Sequence, residues 1–569
     1  MASRSPRGEP AVDVSAPRKG NLGRNGSQEA LLKETPFIEG PTRKKDAPDG
    51  EGDGTIEPGS NEKTVTQDSV ETGIEKSPAA AEGQNAGTTG TEGAKTDGIR
   101  MKKEVGLFSA VGIITGIMVG SGIFISPQFV LKDVGSPFLS LIIWLICGVY
   151  STLGALCYAE LSVMIPQSGG DYIYIYEAFG PLPAFMFLWI ALVIINPVSV
   201  AIVSLAFSTY FANEFYSEDE TIPPLVLNLI TFALIIMLIA LNCYKVRWSK
   251  MLQNVCMVVK IACLLAIVVA AIVHLARGNL EQMTKENFFD TSKYEVTGFA
   301  MAFYGGILSY AGWNYLNFLT EEMKEPEKDL PRAIYISMPL VTLIYCLLNT
   351  AYFIAIPAYV FPTLRAVAYT FAANTMGIFR YSIPVGVCFS CMGTVNGVLF
   401  ASSRMFFAGA RNGHLPEILS MINLNWKTPM PAVITIGSFG MIYSLFAEME
   451  LLLSLFTFAM TAIVATGIIA LLKMRLYDKR CPDRSLKIFI GIPILFLVMC
   501  LFALIVPFFR KPILLGAATG LMLSGVPIYF LFIYWANKPN WLTKPWVFVT
   551  HFFQKLCMVV VTDGNEKLS

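Results

Sequence analysis

Ile117-Met118-Val119-Gly120-Ser121-Gly122-Ile123-Phe124 lies in the middle of the first long apolar run of this chain, which extends from about Val105 to Leu131. A helix crossing hydrocarbon must pair every backbone N–H and C=O internally. A glycine-rich interruption at mid-depth is therefore tolerated only where the backbone is buried in protein or lines a polar cavity. Five segments later a second run is interrupted in the same way, at Gly305-Gly306 and again around Ala311-Gly312. Paired breaks in corresponding segments point to the substrate site of a transporter.

The rest of the 569 residues supports a membrane setting. The chain is 54% hydrophobic and 15% charged, with its charges gathered outside the apolar runs. From Lys102 onward, apolar segments of about 20 residues or more recur, each long enough for a hydrocarbon core roughly 30 Å thick. Twelve can be read, at approximately 105–131, 137–163, 172–211, 224–242, 251–276, 296–320, 333–358, 383–410, 430–447, 451–473, 487–508 and 514–536. The expected fold is thus an all-α integral membrane protein of twelve transmembrane helices with helices 1 and 6 broken. The third segment is long enough to be tilted, and residues 362 to 378 are expected to form a short helix at a surface.

Residues 1–100 are rich in Gly, Pro, Ser, Thr, Glu and Lys, with Phe37 as the only aromatic. Such a stretch buries too little apolar surface to offset its ordering entropy, so a disordered cytosolic tail is expected. It also lacks the apolar core of a signal peptide. A transporter domain over 101–540 and a cytosolic C-terminal tail over 541–569 complete the expected organisation.

Orientation follows from basic residues in short connections. With the N-terminus inside, cytoplasmic loops carry Lys245, Arg247 and Lys250, then Lys324, Lys328 and Arg332, then Arg404, Arg411 and Lys427, then a cluster from Lys473 and Arg475 to Lys487. The outer loop after the third segment is acidic, with Glu214, Glu218, Asp219 and Glu220; Arg277, Lys285 and Lys293 in a later outer loop run against the trend. Both termini are expected in the cytoplasm.

At a helix break the second half begins with unpaired N–H groups and the first half ends with unpaired carbonyls. Together they suit a zwitterion. Ser121 and Gly122 would bind a carboxylate, with Gly120 and Gly122 allowing close backbone approach. Carbonyls of Ile117 and Met118, and of the sixth segment near Leu308, Ala311 and Gly312, would take an ammonium group. Close helix packing through small residues is the plainer explanation for any one of these glycines. The second break favours a site.

Lys260 falls about ten residues into its segment, hence about 15 Å deep. A lysine so placed should face the bundle interior and pair with carbonyls or a ligand. It would act as a fixed cation where a sodium-coupled protein binds Na⁺. Asn196, followed by Pro197, has two readings: it satisfies carbonyls that the proline leaves free, or it faces the pocket as a neutral contact.

Other chemistries find little support. The formal net charge of +1 shows no basic surplus for nucleic acid. The eleven cysteines fall mostly inside apolar runs, and the three histidines show no metal-ligand spacing. No nucleophile–base pair, phosphate loop or channel filter stands out. No cofactor is implied, and no enzymatic activity.

Five separated motifs resemble the L-type amino acid transporters, the light chains of heteromeric amino acid transporters in the amino acid–polyamine–organocation superfamily. They are Gly120-Ser121-Gly122-Ile123-Phe124, Gly154 to Leu161, Ser168-Gly169-Gly170-Asp171-Tyr172, Gly312 to Asn317 with Thr320-Glu321-Glu322, and Gly413-His414-Leu415-Pro416. The resemblance covers about 102–560. It implies a five-plus-five inverted repeat and sodium-independent exchange of amino acids by alternating access across the plasma membrane. It places Ser121 and Gly122 on the family's carboxylate-binding segment, Ile117, Met118, Leu308 and Ala311 on its amino-group and gate region, and Lys260 on its sodium-replacing lysine.

This chain departs from that pattern at three places. Leu308 stands where relatives often carry an aromatic residue. Asn196 stands where close relatives carry arginine, lysine or glutamate, which favours neutral substrates. The loop from Asn213 to Pro224 has no cysteine, so a single-span glycoprotein heavy chain is either held non-covalently or absent. The leading expectation is an exchanger of neutral amino acids, large ones among the candidates; the alternatives are a cystine/glutamate or cationic exchanger, and an amino acid sensor without net transport.

Overall fold

The computed structural model describes residues 106–165, 170–216, 220–278, 288–289, 296–314, 323–446, 448–477, 486–535 and 540–561. The tail expected to be disordered, 1–100, lies outside the described residues, as do 168–169, 315–317 and 320–322 of the quoted motifs.

The first apolar run is two helices, α1 (Leu107–Met118) and α2 (Gly122–Val134), bent by 53° across the residues between them. Helix α3 (Pro137–Met164) follows as one span. The third run, continuous by hydropathy, divides at Gly180, whose φ of +87° stops a right-handed helix. A short α4 (Asp171–Phe179) precedes it. Beyond it, α5 (Pro181–Ile190), a π-helical turn (Ala191–Ile195) and α6 (Asn196–Ala212) form one span with Pro181 in the favoured first-turn position.

Helices α7 (Pro224–Tyr244) and α8 (Val246–Ala276) come next, then α9 (Val296–Ser309), the first part of the sixth run. Helix α10 (Pro326–Ala355) leads to the short α11 (Val367–Thr375), inside the stretch where a surface helix was expected. The remaining helices are α12 (Ser382–Arg411), α13 (Met430–Phe446), α14 (Met449–Tyr477), α15 (Gly491–Arg510) and the run formed by α16 (Pro512–Leu523), α17 (Gly525–Tyr529) and a π turn ending at Tyr534. The stretch after 540, read from sequence only as a tail, contains α18 (Asn540–Cys557). Strand β1 (Met421–Asn423) pairs antiparallel with β2 (Val559–Val561) just beyond it.

Among the described residues nine helices are long and apolar enough to cross a membrane, ten with the bent α1–α2 pair counted as one span; Met430–Phe446 is a shorter apolar helix. The protein is a multi-pass, all-α membrane protein.

Lipid tails are as apolar as the side chains facing them, so helix association depends on close packing rather than on escape from water. Helices α8 and α12 pack in this way. A methyl group on Gly386 would fall 2.6 Å from Cys263, and one on Gly393 would fall 2.7 Å from Cys256. The residue numbers run in opposite senses, so the helices are antiparallel, and Lys260 sits between these contacts at the level of residues 389 and 390.

A buried ion pair ties α14 to α3. The Arg475 guanidinium donates through Nε to Glu160 Oε1 at 2.7 Å and through Nη2 to Glu160 Oε2, and the Ile488 N–H adds a bond to Oε2 at 3.2 Å. Arg475, a loop cation by its place in the sequence, is instead buried against a fully buried carboxylate. Removing one partner of such a pair typically costs about 3–5 kcal/mol, because the other charge stays desolvated. Arg475→Leu is therefore expected to abolish the monodisperse peak in detergent size-exclusion chromatography, whereas Arg411→Leu, at an exposed position, should leave it.

Candidate substrate site

The first break is made by a turn. Val119 has φ −70° and ψ 74°, inverse γ-turn geometry, closed by the Gly120 N–H donating to Met118 O at 2.7 Å. Helix α2 then restarts at Ser121, whose side chain makes no capping bond, and the N–H groups of Ser121, Gly122 and Ile123 find no acceptor among the described residues. Gly122 serves close approach: a Cβ there would lie 2.7 Å from Ser309 Cα. The first turn of α2 therefore rests directly on the end of α9.

Of the two interruptions expected in the sixth run, the one at Gly305-Gly306 is absent and the chain departs from the helix at the later one, around Ala311-Gly312. Helix α9 runs unbroken through Gly305 and Gly306, which are packing positions: a methyl group on Gly305 would meet Val130 at 3.1 Å, and one on Gly306 would meet Cys147 Sγ at 2.4 Å. The chain leaves the helix at Tyr310 to Gly312, and Gly312 has φ +113°, a conformation that L side chains rarely adopt. A Cβ on Gly312 would fall 2.7 Å from Ile117 Cγ2. The two breaks thus touch twice, Gly122 on Ser309 and Gly312 on Ile117.

One hydroxyl spans both. Tyr345, on α10, lies 2.6 Å from Met118 O and 2.8 Å from Ser309 O, so its single proton serves the last turns of α1 and α9 in alternation. Tyr310 and Trp144 pack against its ring, with centroids at 4.9 and 5.5 Å. Nothing in the sequence distinguished this tyrosine from others buried in spans. Tyr345→Phe leaves both carbonyls without that donor, at a cost of about 1–3 kcal/mol. Uptake normalised to surface protein should fall by about tenfold, and Tyr335→Phe, exposed on the same helix, should not change it.

Lys260 is buried and its Nζ donates to Gly116 O at 2.9 Å, in the last turn of α1. Its ammonium occupies the carbonyl end of a broken helix, where positive charge is favoured. Thr115 Oγ1, Ser309 Oγ and Ser390 Oγ are buried polar atoms without a partner among the described residues. Thr394, which sequence reasoning passed over, lies 3.7 Å from where a Gly120 Cβ would stand.

The other expected site residues fall as follows. Met118, Ser121 and Gly312 are buried, Gly120, Leu308 and Ala311 are half-buried, and Ile117 is 39% exposed at the open side of the break. Asn196 is committed within the bundle: its Nδ2 donates to Ala191 O at 2.8 Å and its Oδ1 accepts from Ser402 Oγ at 2.6 Å. The carbonyl four residues before Pro197, that of Val193, is taken instead by the Tyr443 hydroxyl at 3.0 Å.

Three of the quoted motifs meet just beyond the second break. Trp313 stands edge-on to Tyr158 at 5.0 Å, and Asn314 Nδ2 donates to Asp171 Oδ2 at 3.4 Å. A fourth joins them through the Tyr172 hydroxyl, 2.6 Å from His414 Nδ1. Burial holds the His414 imidazole below its ordinary pKa, so it is neutral at pH 7.

A helix broken within one apolar run, its break resting on the end of α9 inside a multi-pass bundle, is the arrangement found in membrane transporters. The amino acid permease family profile matches residues 105–536. The chain is 41% identical over 469 residues to the cystine/glutamate transporter of Homo sapiens, covering 82% of this chain and 92% of that protein. It is 38% identical over 471 residues to the large neutral amino acids transporter small subunit 2 of Mus musculus, covering 82% and 88%. It is also 38% identical over 469 residues to the Asc-type amino acid transporter 1 of Mus musculus, with the same coverage. The chain belongs to the amino acid permease family, and it is an amino acid transporter.

Proposed function

We propose that this transporter is a sodium-independent exchanger of neutral amino acids, with its substrate held between the two breaks. The carrying observation is their opposed polarity: N–H groups of Ser121, Gly122 and Ile123 without an acceptor among the described residues, and on touching chain segments the carbonyl of Ile117 and that of Leu308, which accepts the Ala311 N–H at 3.1 Å and keeps a second lone pair. The N–H groups suit an α-carboxylate and the carbonyls an α-ammonium. Met118, Gly120, Ala311 and Gly312 shape the backbone around them.

Lys260 supports sodium independence, since its ammonium already takes the Gly116 carbonyl that a bound cation would use. Asn196 carries no charge and its polar ends are engaged, which supports a neutral side-chain preference and gives Asn196 a shaping role. Twelve transmembrane helices in a five-plus-five inverted repeat, plasma-membrane residence, cytoplasmic termini and a heavy chain held without a disulfide complete the proposal. A cystine/glutamate specificity is the second reading, favoured by the 41% identity to the transporter of that name.

Uptake of labelled leucine in cells, with and without a co-expressed single-span heavy chain, separates these readings. Phenylalanine and other neutral amino acids should compete while glutamate, cystine and arginine should not; competition by glutamate and cystine alone would give the second reading. Deleting residues 1–95 should leave uptake intact, whereas a sensor acting through that segment would lose its output.

A further inference from the structure

We propose that α18 lies in the membrane–water interface and seats its outward apolar stripe among anionic phospholipids. Which leaflet this is rests on the orientation proposed above; the seat itself does not.

The helix has two unlike faces. Thr550 and Cys557 are buried and Phe553 is half-buried, and Cys557 joins Met421 and Val559 in a small cluster packed against Ile418, Met430 and Ile434. On the other side Phe548, Phe552 and Leu556, each one helical step of four from the last, are 72%, 55% and 65% exposed. Phenylalanines and a leucine in register along an outward face mark a surface that meets an apolar partner.

The height of the helix identifies that partner. Strand β2 pairs with β1, the Leu424 N–H donates to Met558 O at 3.1 Å, and Asn423 Nδ2 donates to Cys557 O at 2.7 Å. Met430 and Ile434, which pack on the same cluster, belong to the first turns of α13. The helix is thereby fixed beside the start of the apolar helix α13, whose preceding Thr428 hydroxyl donates to Cys243 O at 2.7 Å at the end of the membrane-length helix α7. Aromatic side chains mark the same level: the rings of Tyr244, at the end of α7, and Trp426 lie 5.3 Å apart, and Trp248 is exposed nearby in sequence. Tyr and Trp gather at headgroup depth.

Charge selects the lipid. Lys245, Arg247, Lys250, Lys427 and Lys555 are exposed in segments 244–250, 411–430 and 547–560, and Glu417 is the one carboxylate in them. His551 and Lys555, both exposed, border the apolar stripe along one side of the helix, the arrangement of an interfacial helix on an acidic surface. Phosphatidylserine is a suitable probe for such a surface.

The full-length protein carrying p-benzoylphenylalanine in place of Phe552 should be reconstituted into phosphatidylcholine vesicles containing phosphatidylserine, irradiated, digested and weighed. The peptide containing position 552 is expected to gain the mass of one phospholipid, with phosphatidylserine adducts in excess of its share of the bilayer. Lys427→Gln and Lys555→Gln should each cut that excess by up to about fivefold. An adduct to a second protein chain, an adduct within the chain, or none would overturn the interfacial seat; adducts without phosphatidylserine excess would overturn the anionic preference. Should the substituted protein not fold, amide exchange over 547–556 in the native protein is expected to be slower in phosphatidylserine-containing vesicles than in pure phosphatidylcholine, and equal rates would overturn that preference.

Discussion

Gly122→Ala is expected to lower uptake by at least about tenfold while the protein still reaches the cell surface, because a methyl group there has nowhere to go. Its nearest neighbour is Ser309 Cα at 2.7 Å, with Ser309 Oγ at 3.1 Å. A backbone atom cannot rotate aside, so the first turn of α2 must move away from α9. Overpacking of this kind costs about 1–3 kcal/mol, and here the displacement falls on the N–H groups assigned to the carboxylate. Gly305→Ala is the informative contrast. Its new methyl would meet Val130 Cγ2 at 3.1 Å, a side chain able to shift by a few tenths of an ångström, in a helix that continues past it. Surface-normalised initial rates should separate the two variants widely, and equal losses would place the second break at Gly305 after all.

Lys260→Met should be nearly as damaging for a different reason. Methionine keeps an unbranched side chain of similar reach but cannot donate a hydrogen bond, so Gly116 O loses its partner inside the bundle. An unpaired buried carbonyl costs about 1–3 kcal/mol, and the end of α1 loses the cation that complements its dipole. Uptake should drop at least about tenfold, on that same range, in both sodium and choline media. Wild-type rates should be equal in the two media. A Lys260→Met protein with normal exchange would leave the ammonium without the role assigned to it.

Much of this was legible in the residues because membrane constraints are severe. An apolar run of fixed length admits a helix and little else, so most spans were legible, although the third begins at Pro181 rather than 172 and the one expected at 333 begins at Pro326. A buried lysine among apolar residues has few options, and Lys260 found a backbone carbonyl. The misreadings share one cause: glycine marks close approach as readily as it marks a break. Gly305 and Gly306 accommodate Val130 and Cys147 within a continuous helix, while the first break is carried by the backbone angles of Val119, which no residue type announces. Gly180 was hidden within a long hydrophobic run, yet its positive φ splits the third segment.

Side-chain partnerships were the least readable feature. Tyr345 bridges the two breaks from another helix, and Asn196 pairs with Ser402, which is 206 positions away in sequence. Such contacts depend on tertiary packing rather than local pattern. The amphipathic pattern of α18 was present in the sequence, but a short helix after the last span is easily taken for a tail.

The most direct test of the central claim is counterflow in proteoliposomes containing the purified chain. Vesicles preloaded with unlabelled leucine should accumulate external labelled leucine at the same rate in choline chloride as in sodium chloride. Empty vesicles should accumulate little, and Gly122→Ala should abolish the difference. Accumulation that requires a sodium gradient, or that is as fast in empty vesicles as in loaded ones, would contradict it.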